Sequence, residues 1–314
     1  MIPADWVEEA AALISGLLNQ TPITFDEKLN LFLKWENQQK TGSFKLRGAL
    51  NKVLSLDQEE LSRGLITCSA GNHGQGVAVA AASVGVRCVV YASDHAPAVK
   101  VEAMRELGAV VHLVPGGYVL AEKLAILTAR ETGGVFISPY NDPLVIAGQG
   151  TIGAEIERQI SGFSDIKSML VPVGGGGLLS GIGTYFQHHA QRPRLIGVQS
   201  EASPFAHSLF FTGTQEGVVE TDSIAEGLAG EIAPDSITIT MLLNYLDDVI
   251  LVSEDEIRQA IRYAWQTHHQ VIEGSAAVGL AAQLAGKIKL SPALTIITGG
   301  NIQPELFNAI IRRD

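Results

Sequence analysis

The sequence is poor in cysteine, in proline and in basic residues, and each shortage excludes a class of protein. Its 314 residues include two cysteines, Cys68 and Cys88, which stand too far apart for a C-x-x-C pair, so neither a disulfide framework nor a zinc site is expected. We predict that both are buried free thiols. Twelve prolines and no G-X-Y repeat exclude collagen-like and linker-like chains. A net charge of −11 without a basic tract argues against binding to nucleic acid or to anionic membranes.

Long hydrophobic runs are also missing. No uninterrupted apolar run reaches the roughly 18 residues that cross a bilayer. The first 20 residues are acidic and amphipathic, and they do not resemble a secretory signal peptide. We therefore expect a cytoplasmic protein.

Apolar residues and glycine are abundant instead. Hydrophobic residues make up 46% of the chain, and many of its 33 glycines lie in short clusters beside apolar runs. Such clusters are typical of α/β proteins whose turns approach a ligand closely. At roughly 150 residues per domain, the length suggests two domains.

Short apolar runs alternate with helix-like stretches along the chain. Runs rich in β-branched residues predict buried strands at 65–68, 86–91, 109–114, 168–173, 194–199, 248–252 and 293–297. Alanine- and leucine-rich stretches predict helices at 74–84, 98–107, 118–132, 144–160, 178–190 and 254–270. Ser253 and Glu256 form a capping-box pattern, so the acidic residues there indicate a helix start rather than a metal site. The alternation predicts an α/β fold with parallel-dominated sheets flanked by helices.

Four consecutive glycines follow one predicted strand directly and precede a helix. They are Gly174, Gly175, Gly176 and Gly177. Successive glycines at a helix start point backbone N–H groups into one concavity, which is a cradle for an anion such as phosphate. The alternative is a tight strand–helix turn without a ligand. The pattern is neither a P-loop nor a clear dinucleotide fingerprint, because the acidic residue expected about 20 positions later is missing.

Three further clusters have polar side chains near predicted strand or helix ends. SAGNHG at 69–74 follows a strand and offers N–H groups for a carboxylate; the alternative is an Asn/Gly turn. TGGN at 298–301 places the Thr298 hydroxyl after the last strand, and here too a simple turn is the alternative. TGSFKLRGA at 41–49 contains Lys45, whose apolar neighbours would lower its pKa if it were desolvated. Local features alone favour an ordinary surface lysine there.

Taken together and in this order, the clusters resemble a known family. TGSFKLRGA, SAGNHGQG, PVGGGGLLSGI and TGGN are similar to motifs of the fold type II pyridoxal-phosphate enzymes, and most similar to the threonine/serine dehydratase and serine racemase branch. Further similarity covers TPI at 21–23, SPYNDPLVIAGQGTIGAEI at 138–156 and VIEGSAAVGLAA at 271–282. The resemblance implies a tryptophan synthase β-like fold. It implies a discontinuous large domain, residues 1–40 plus 141–314, and a small domain of residues 41–140.

The resemblance also implies a role for each cluster. Lys45 would be the catalytic residue, forming a Schiff base with pyridoxal phosphate and removing the substrate α-proton. The cofactor would otherwise be held by Phe44 beside the ring, Asn72 at the ring hydroxyl, Gly174, Gly175, Gly176, Gly177 and Leu178 at the phosphate, and Thr298 at the pyridine nitrogen. The substrate carboxylate would be bound by Ser69, Gly71, Asn72 and His73, largely through main-chain N–H groups. A neutral hydroxyl at the pyridine nitrogen favours elimination over transamination.

The implied activity is elimination of water from a 3-hydroxy amino acid such as L-threonine or L-serine, which releases a 2-oxo acid and ammonia. Alternatives of the same fold are a dehydratase for hydroxyaspartate, phenylserine or a hydroxyectoine-derived amino acid, and a serine racemase or β-replacement enzyme. A non-catalytic ligand-binding protein and a nicotinamide-dependent oxidoreductase belong to other classes. The intact lysine and ligand loops disfavour the first of these, and the missing ribose-binding acid disfavours the second.

Departures from the family pattern narrow these expectations. Ala70 stands where racemases have a serine base, so we expect racemisation to be weak or absent. Gln199 and Ser200 replace the Glu-Pro pair of metal-binding relatives, so no divalent-cation site is expected. Glu226 stands where aspartate is usual, which leaves the preferred substrate open. A homodimer is the family-level expectation for quaternary structure.

Overall fold

The computed structural model describes residues 1–312, whose strands form two separate sheets. The strands are β1 Ile23–Asp26, β2 Leu31–Trp35, β3 Leu65–Cys68, β4 Cys88–Ser93, β5 Val110–Val114, β6 Val135–Phe136, β7 Ser168–Pro172, β8 Arg194–Ser200, β9 Asp248–Val252 and β10 Ala293–Ile297. The helices are α1 Asp5–Ile14, α2 Lys45–Leu54, α3 Gln58–Ser62, α4 Asn72–Ser83, α5 Ala98–Glu106, α6 Tyr118–Thr132, α7 Pro143–Gln159, α8 Gly177–Phe186, α9 Phe205–Thr212, α10 Ile237–Tyr245, α11 Glu254–His268, α12 Gly274–Leu284 and α13 Pro304–Ile311.

The larger sheet has six strands in the order β1-β2-β10-β7-β8-β9, and all its pairs are parallel except β1 with β2. The smaller sheet has four strands in the order β5-β4-β3-β6, all parallel. The predicted α/β fold with parallel-dominated sheets is therefore confirmed. All seven predicted strands exist, with ends shifted by at most two residues. The β1–β2 hairpin and the two-residue β6 were not predicted.

The central strands β7 and β10 of the six-stranded sheet are buried on both faces. Met169 and Val171 of β7 pack on one face, while Leu170 between them packs on the other. This alternation follows from the two-residue period of a strand, and helices on both faces supply the partners. Burial of each such side chain contributes about 1.5–3 kcal/mol, which is why the strand sequences are continuously apolar.

Three local predictions have direct outcomes. Ser253 and Glu256 form the predicted capping box at the start of α11, with the hydroxyl oxygen of Ser253 accepting from Glu256 N–H and the Glu256 carboxylate accepting from Ser253 N–H. Cys68 and Cys88 are buried and unpaired, as predicted. Within residues 1–312, none of the helices has both the length and the hydrophobicity needed to span a bilayer.

The division into two domains stays a prediction. The strands of the four-stranded sheet all lie between residues 65 and 136, and those of the six-stranded sheet lie before residue 36 or after residue 167. This distribution supports the predicted division into 1–40 plus 141–314 and 41–140.

Candidate active site

Both sheets reverse their strand order at one place. In the six-stranded sheet β7 is followed by β8 and β9 on one side, while β10 lies on its other side. In the four-stranded sheet β3 is followed by β4 and β5 on one side, with β6 on the other. At such switch points the loops leave the carboxyl ends of two neighbouring strands in opposite directions, which opens a crevice for a ligand.

The loops at these switch points hold the predicted clusters. SAGNHG follows β3, the four glycines follow β7, and TGGN follows β10. The segment that carries Lys45 is tied to the last of these: Phe44 N–H donates to the carbonyl oxygen of Thr298 at 3.0 Å. Ser43 and Gly299 form an isolated antiparallel bridge beside that bond. The topology of the six-stranded sheet thus brings the glycine loop and TGGN to one edge, and the Lys45 segment is fixed against TGGN. SAGNHG lies at the switch point of the four-stranded sheet.

Lys45 is the first residue of α2, and its amine points between the two sheets. Its Nζ donates to the carbonyl oxygen of Pro139, which follows β6, at 2.9 Å, and lies 5.3 Å from the centroid of the Phe44 ring. Burial lowers the pKa of Lys45 to about 8, although the nearby Glu273 carboxylate acts in the opposite direction. The surface lysine favoured by local sequence features alone is therefore wrong. An amine with this pKa serves as nucleophile and base near neutral pH.

The SAGNHG loop forms a compact turn at the start of α4. The Ser69 hydroxyl accepts from Gly71 N–H at 3.0 Å, which shapes the turn. His73 is buried, and its Nε2 lies 3.1 Å from the carbonyl oxygen of Ile137. Burial, aided by the charge of Lys45, lowers the pKa of His73 to about 3, so the imidazole is neutral and donates through Nε2. The side chain of His73 thus supports the loop, which leaves its main chain for ligand contacts.

Asn72 links the loops of the two sheets. Its Nδ2 donates to Glu273 Oε1 at 2.7 Å, and its Oδ1 accepts from Asn301 Nδ2 at 2.7 Å. Asn301 also donates to the carbonyl oxygen of Thr41 at 2.9 Å. Burial raises the pKa of Glu273, and hydrogen bonding to Asn72 opposes that shift.

Sequence analysis did not single out Glu273 or Asn301. Both lie within motifs quoted for the family resemblance, VIEGSAAVGLAA and TGGN, but no local feature indicated that they meet Asn72. The hydrogen bond between Asn72 and Glu273 joins residues that are 201 positions apart in the sequence.

The glycine loop after β7 fits closely against neighbouring residues. A Cβ atom built on Gly175 would lie 2.4 Å from Tyr140 Cγ, and Gly176 has a φ of +85°, a conformation that favours glycine. The Thr238 hydroxyl donates to the carbonyl oxygen of Gly175 at 2.8 Å and holds the loop in place. Because α8 begins at Gly177, its first-turn N–H groups, including that of Leu178, have no partners within the helix. The loop therefore has the form of a cradle for an anion.

Three further positions singled out from the sequence have clear surroundings. Thr298 directly follows the buried β10 and is 4% exposed. Gln199, where metal-binding relatives have glutamate, donates from Nε2 to the carbonyl oxygen of Val173 at 3.0 Å, and its Oε1 accepts from His207 N–H at 2.9 Å. Ser200 donates to Glu254 Oε1 at 2.8 Å. Among residues 1–312 no three His, Cys, Asp or Glu residues are grouped so that they could hold a metal ion.

Comparisons with known proteins agree on the same family. Residues 14–299 match the family model described as pyridoxal-phosphate dependent enzyme. The L-threonine ammonia-lyase of Thermotoga maritima is 37% identical over 320 residues, covering 100% of this chain and 79% of that protein. The catabolic L-threonine dehydratase TdcB of Escherichia coli K12 is 38% identical over 312 residues, covering 96% of this chain and 93% of that protein.

Solved structures show the same likeness. The processed form of threonine deaminase isoform 2 from Solanum lycopersicum superposes with a TM-score of 0.89 at 32% identity, covering 98% of this chain and 86% of that one. Maize serine racemase superposes with a TM-score of 0.89 at 29% identity, covering 98% of this chain and 97% of that one.

Proposed function

The chain belongs to the family of pyridoxal-phosphate dependent enzymes, and on that premise we propose that it is an ammonia-lyase for 3-hydroxy amino acids. L-threonine and L-serine are the proposed substrates, and a 2-oxo acid and ammonia are the products. The observation that carries the proposal is the amine of Lys45, with its pKa lowered to about 8, in the crevice between the two sheets. Relatives that are named for threonine ammonia-lyase or dehydratase activity and are 37–38% identical over nearly the whole chain support it.

The residues of the crevice fit pyridoxal phosphate. The glycine loop has no room for side chains against Tyr140, and its N–H groups suit the phosphate. Lys45 supplies the amine for covalent attachment, Phe44 an apolar surface, and Asn72 an amide. When bound, the cofactor supplies an electron sink for the negative charge that develops at the substrate α-carbon.

Lys45 carries the proton chemistry in this proposal. The amine must be uncharged to bond covalently and, once released, to remove the α-proton. With its pKa lowered to about 8, roughly a tenth of the amine is uncharged at neutral pH, whereas an ordinary lysine would be almost fully protonated. The neutral, buried His73 does not compete with it for protons in that range.

The SAGNHG loop is the proposed binding site for the substrate carboxylate. The loop leads into α4, whose first-turn N–H groups and positive end favour an anion. Ser69, Gly71, Asn72 and His73 are the residues proposed to bind it. The Thr298 hydroxyl is proposed to meet the pyridine nitrogen without enforcing its protonation.

Racemisation is the competing activity within the fold, since solved relatives include serine racemases. Ala70 weighs against it, because its methyl side chain cannot transfer a proton on the opposite face of the substrate. The Ala70 position is exposed, so no neighbouring side chain encloses it.

The proposal extends to partners and compartment. The partners are small amino acids and a second copy of the chain, with no nucleic acid; the net charge of −11 supports the exclusion of nucleic acid. The two unpaired cysteines suit a reducing cytoplasm. Size-exclusion chromatography coupled to light scattering tests the homodimer.

A direct experiment tests the function. The purified protein should show a yellow cofactor band that borohydride abolishes, and it should release 2-oxo acid from members of a 3-hydroxy amino acid panel. Lys45→Ala should abolish both, while the exposed Lys40→Ala, five residues earlier, should change neither. A colourless protein that takes up no pyridoxal phosphate would overturn the proposal.

A further inference from the structure

An ion pair crosses from one sheet system to the other beside the substrate loop. Lys100 lies on α5, which packs against the four-stranded sheet, and Glu226 lies in the connection between α9 and α10 of the six-stranded sheet. The Lys100 ammonium donates to Glu226 Oε1. The Lys100 side chain is 11% exposed and that of Glu226 is 55% exposed. The lysine is thus enclosed, while its partner is open to a ligand that enters.

The pair lies next to the proposed carboxylate-binding residues. A Cβ atom built on Gly71 would lie 3.1 Å from Lys100 Cδ, so the lysine stem runs directly over that residue. Glu226 and Glu273 also line one cavity of about 200 Å³, together with Ser223, Ser275 and Gln303. A charged group that enters this cavity therefore meets two carboxylates.

Two lysines and two glutamates lie close together in this region. Lys45 and Lys100 favour the charged form of Glu273, and Glu226 disfavours it, against a background of burial. Within the ion pair of Lys100 and Glu226 the two formal charges cancel, so their sum is zero. A substrate with an uncharged side chain brings its own balanced ammonium and carboxylate and leaves this sum unchanged. An acidic side chain adds an unbalanced negative charge beside Glu226 and Glu273, and like charges in close contact are costly.

We propose that Glu226 is a specificity-determining residue, which neutralises Lys100 and so selects 3-hydroxy amino acids with uncharged side chains against 3-hydroxyaspartate. The inference rests on the proposed function and names its substrate class. Removal of the Glu226 charge leaves Lys100 free to pair with a substrate side-chain carboxylate. The net reaction with 3-hydroxyaspartate would give oxaloacetate and ammonia, with one water lost in the elimination and one regained in the hydrolysis.

A binding experiment tests the charge argument without turnover. Succinate and butyrate differ by one carboxylate, and their dissociation constants can be measured by titrating the cofactor absorption of the holoenzyme. In Glu226→Gln, the ratio of succinate to butyrate affinity should rise on the order of tenfold over the unmodified chain. Lys100→Met combined with Glu226→Gln should remove that gain. An unchanged ratio in Glu226→Gln would overturn the proposal.

Turnover gives the second measurement. The ratio of kcat/KM for 3-hydroxyaspartate to kcat/KM for threonine should rise on the order of tenfold in Glu226→Gln, and far less in Glu226→Asp, which keeps the charge. A rise of equal size in both variants would indicate a steric cause and would contradict the inference. If the unmodified chain binds cofactor but releases no 2-oxo acid from any 3-hydroxy amino acid, the proposed function fails, and the succinate and butyrate titration still decides the role of Glu226.

Discussion

The amide of Asn72 donates to the carboxylate of Glu273 at 2.7 Å, across 201 positions of sequence. Asn72 begins α4 beside the four-stranded sheet, and Glu273 immediately precedes α12 on the six-stranded sheet. The amide oxygen of Asn72 accepts a hydrogen bond from Asn301 Nδ2. The two bonds fix the orientation of Asn72 and place a carboxylate where its charge acts on Lys45.

Removal of that charge should shift the pH dependence of cofactor uptake. Uptake by the apoenzyme needs the uncharged amine of Lys45, so its rate should rise with pH and level off above about 8. Glu273 raises the pKa of Lys45, so Glu273→Gln should lower it and move the rise in rate to lower pH. The measurement is the rate at which the absorption of pyridoxal phosphate changes after it is mixed with the apoenzyme. It is repeated at a series of pH values from about 6 to about 10, which lie on both sides of the pKa of Lys45.

The matched control is Glu122→Gln, which removes a carboxylate that does not contribute to the pKa of Lys45. In Glu122→Gln, the pH at which the uptake rate reaches half its maximum should be the same as in the unmodified chain. A midpoint in Glu273→Gln that stays fixed or moves to higher pH would contradict the assigned effect.

Much of the fold was predictable because the parallel strands are buried on both faces. A strand such as β7 must be apolar throughout, and this produces a pattern that local sequence reveals. The hairpin strand β1 has the burial pattern of an edge strand, with Thr24 and Phe25 exposed, so its composition carries little indication of a strand. The two residues of β6 are too few for any periodicity.

The loops that form the site could be predicted from the sequence, but the contacts between their side chains could not. The loops that contain Gly175 and Asn72 follow buried strands, and turn residues at those places indicate a ligand-binding edge. Glu273, which bonds to Asn72, and Lys100, whose stem lies over Gly71, belong to other elements of the fold. Tertiary packing alone brings them to the crevice. For the same reason, local features could not show that Lys45 is desolvated.

A methyl group in the anion cradle should weaken cofactor binding. In Gly175→Ala the new Cβ would lie 2.4 Å from Tyr140 Cγ, so the loop or the ring must move. Overpacking of this kind costs about 1–3 kcal/mol, and 1.4 kcal/mol corresponds to a tenfold change in affinity. We expect a rise of roughly five- to 100-fold in the dissociation constant for pyridoxal phosphate, measured by equilibrium dialysis. Gly16→Ala, which meets nothing within 4 Å, should leave that constant unchanged.

A hydroxyl at position 70 should introduce some racemisation. Ala70 replaces the serine base of the racemases that this chain resembles, and Ala70→Ser restores that group next to the buried Ser69. We expect the unmodified chain to form little or no D-serine from L-serine and the variant to form measurably more, assayed by chiral chromatography. Ala70→Thr, whose hydroxyl carries an added methyl group, serves as a comparison. D-serine as the main product of the unmodified chain, with little 2-oxo acid, would refute the argument from Ala70.

Arg47 should contribute more to stability than any surface ion pair. Its Nε and Nη2 donate to the two carboxylate oxygens of Glu36 at 2.8 and 2.7 Å, and both side chains are at most 1% exposed. Arg47→Met leaves Glu36 buried without its main partner and also removes the ion pair of Arg47 Nη1 with Glu155 Oε2 at 2.9 Å. The Thr21 hydroxyl donates a hydrogen bond to Glu36 but carries no charge. Lys34, whose charge also acts on Glu36, donates to Glu155 instead. Loss of one partner of a buried pair costs about 3–5 kcal/mol.

Arg158→Met is the matched control, because the Arg158–Glu8 pair is 59% and 49% exposed and exposed pairs contribute about 0–1 kcal/mol. Urea denaturation followed by circular dichroism should therefore show a much larger loss of unfolding free energy for Arg47→Met than for Arg158→Met. Equal losses in the two variants would contradict the prediction. Glu36→Gln combined with Arg47→Met tests the cause: it should recover part of the loss if the uncompensated carboxylate of Glu36 is responsible, since the amide carries no charge to bury.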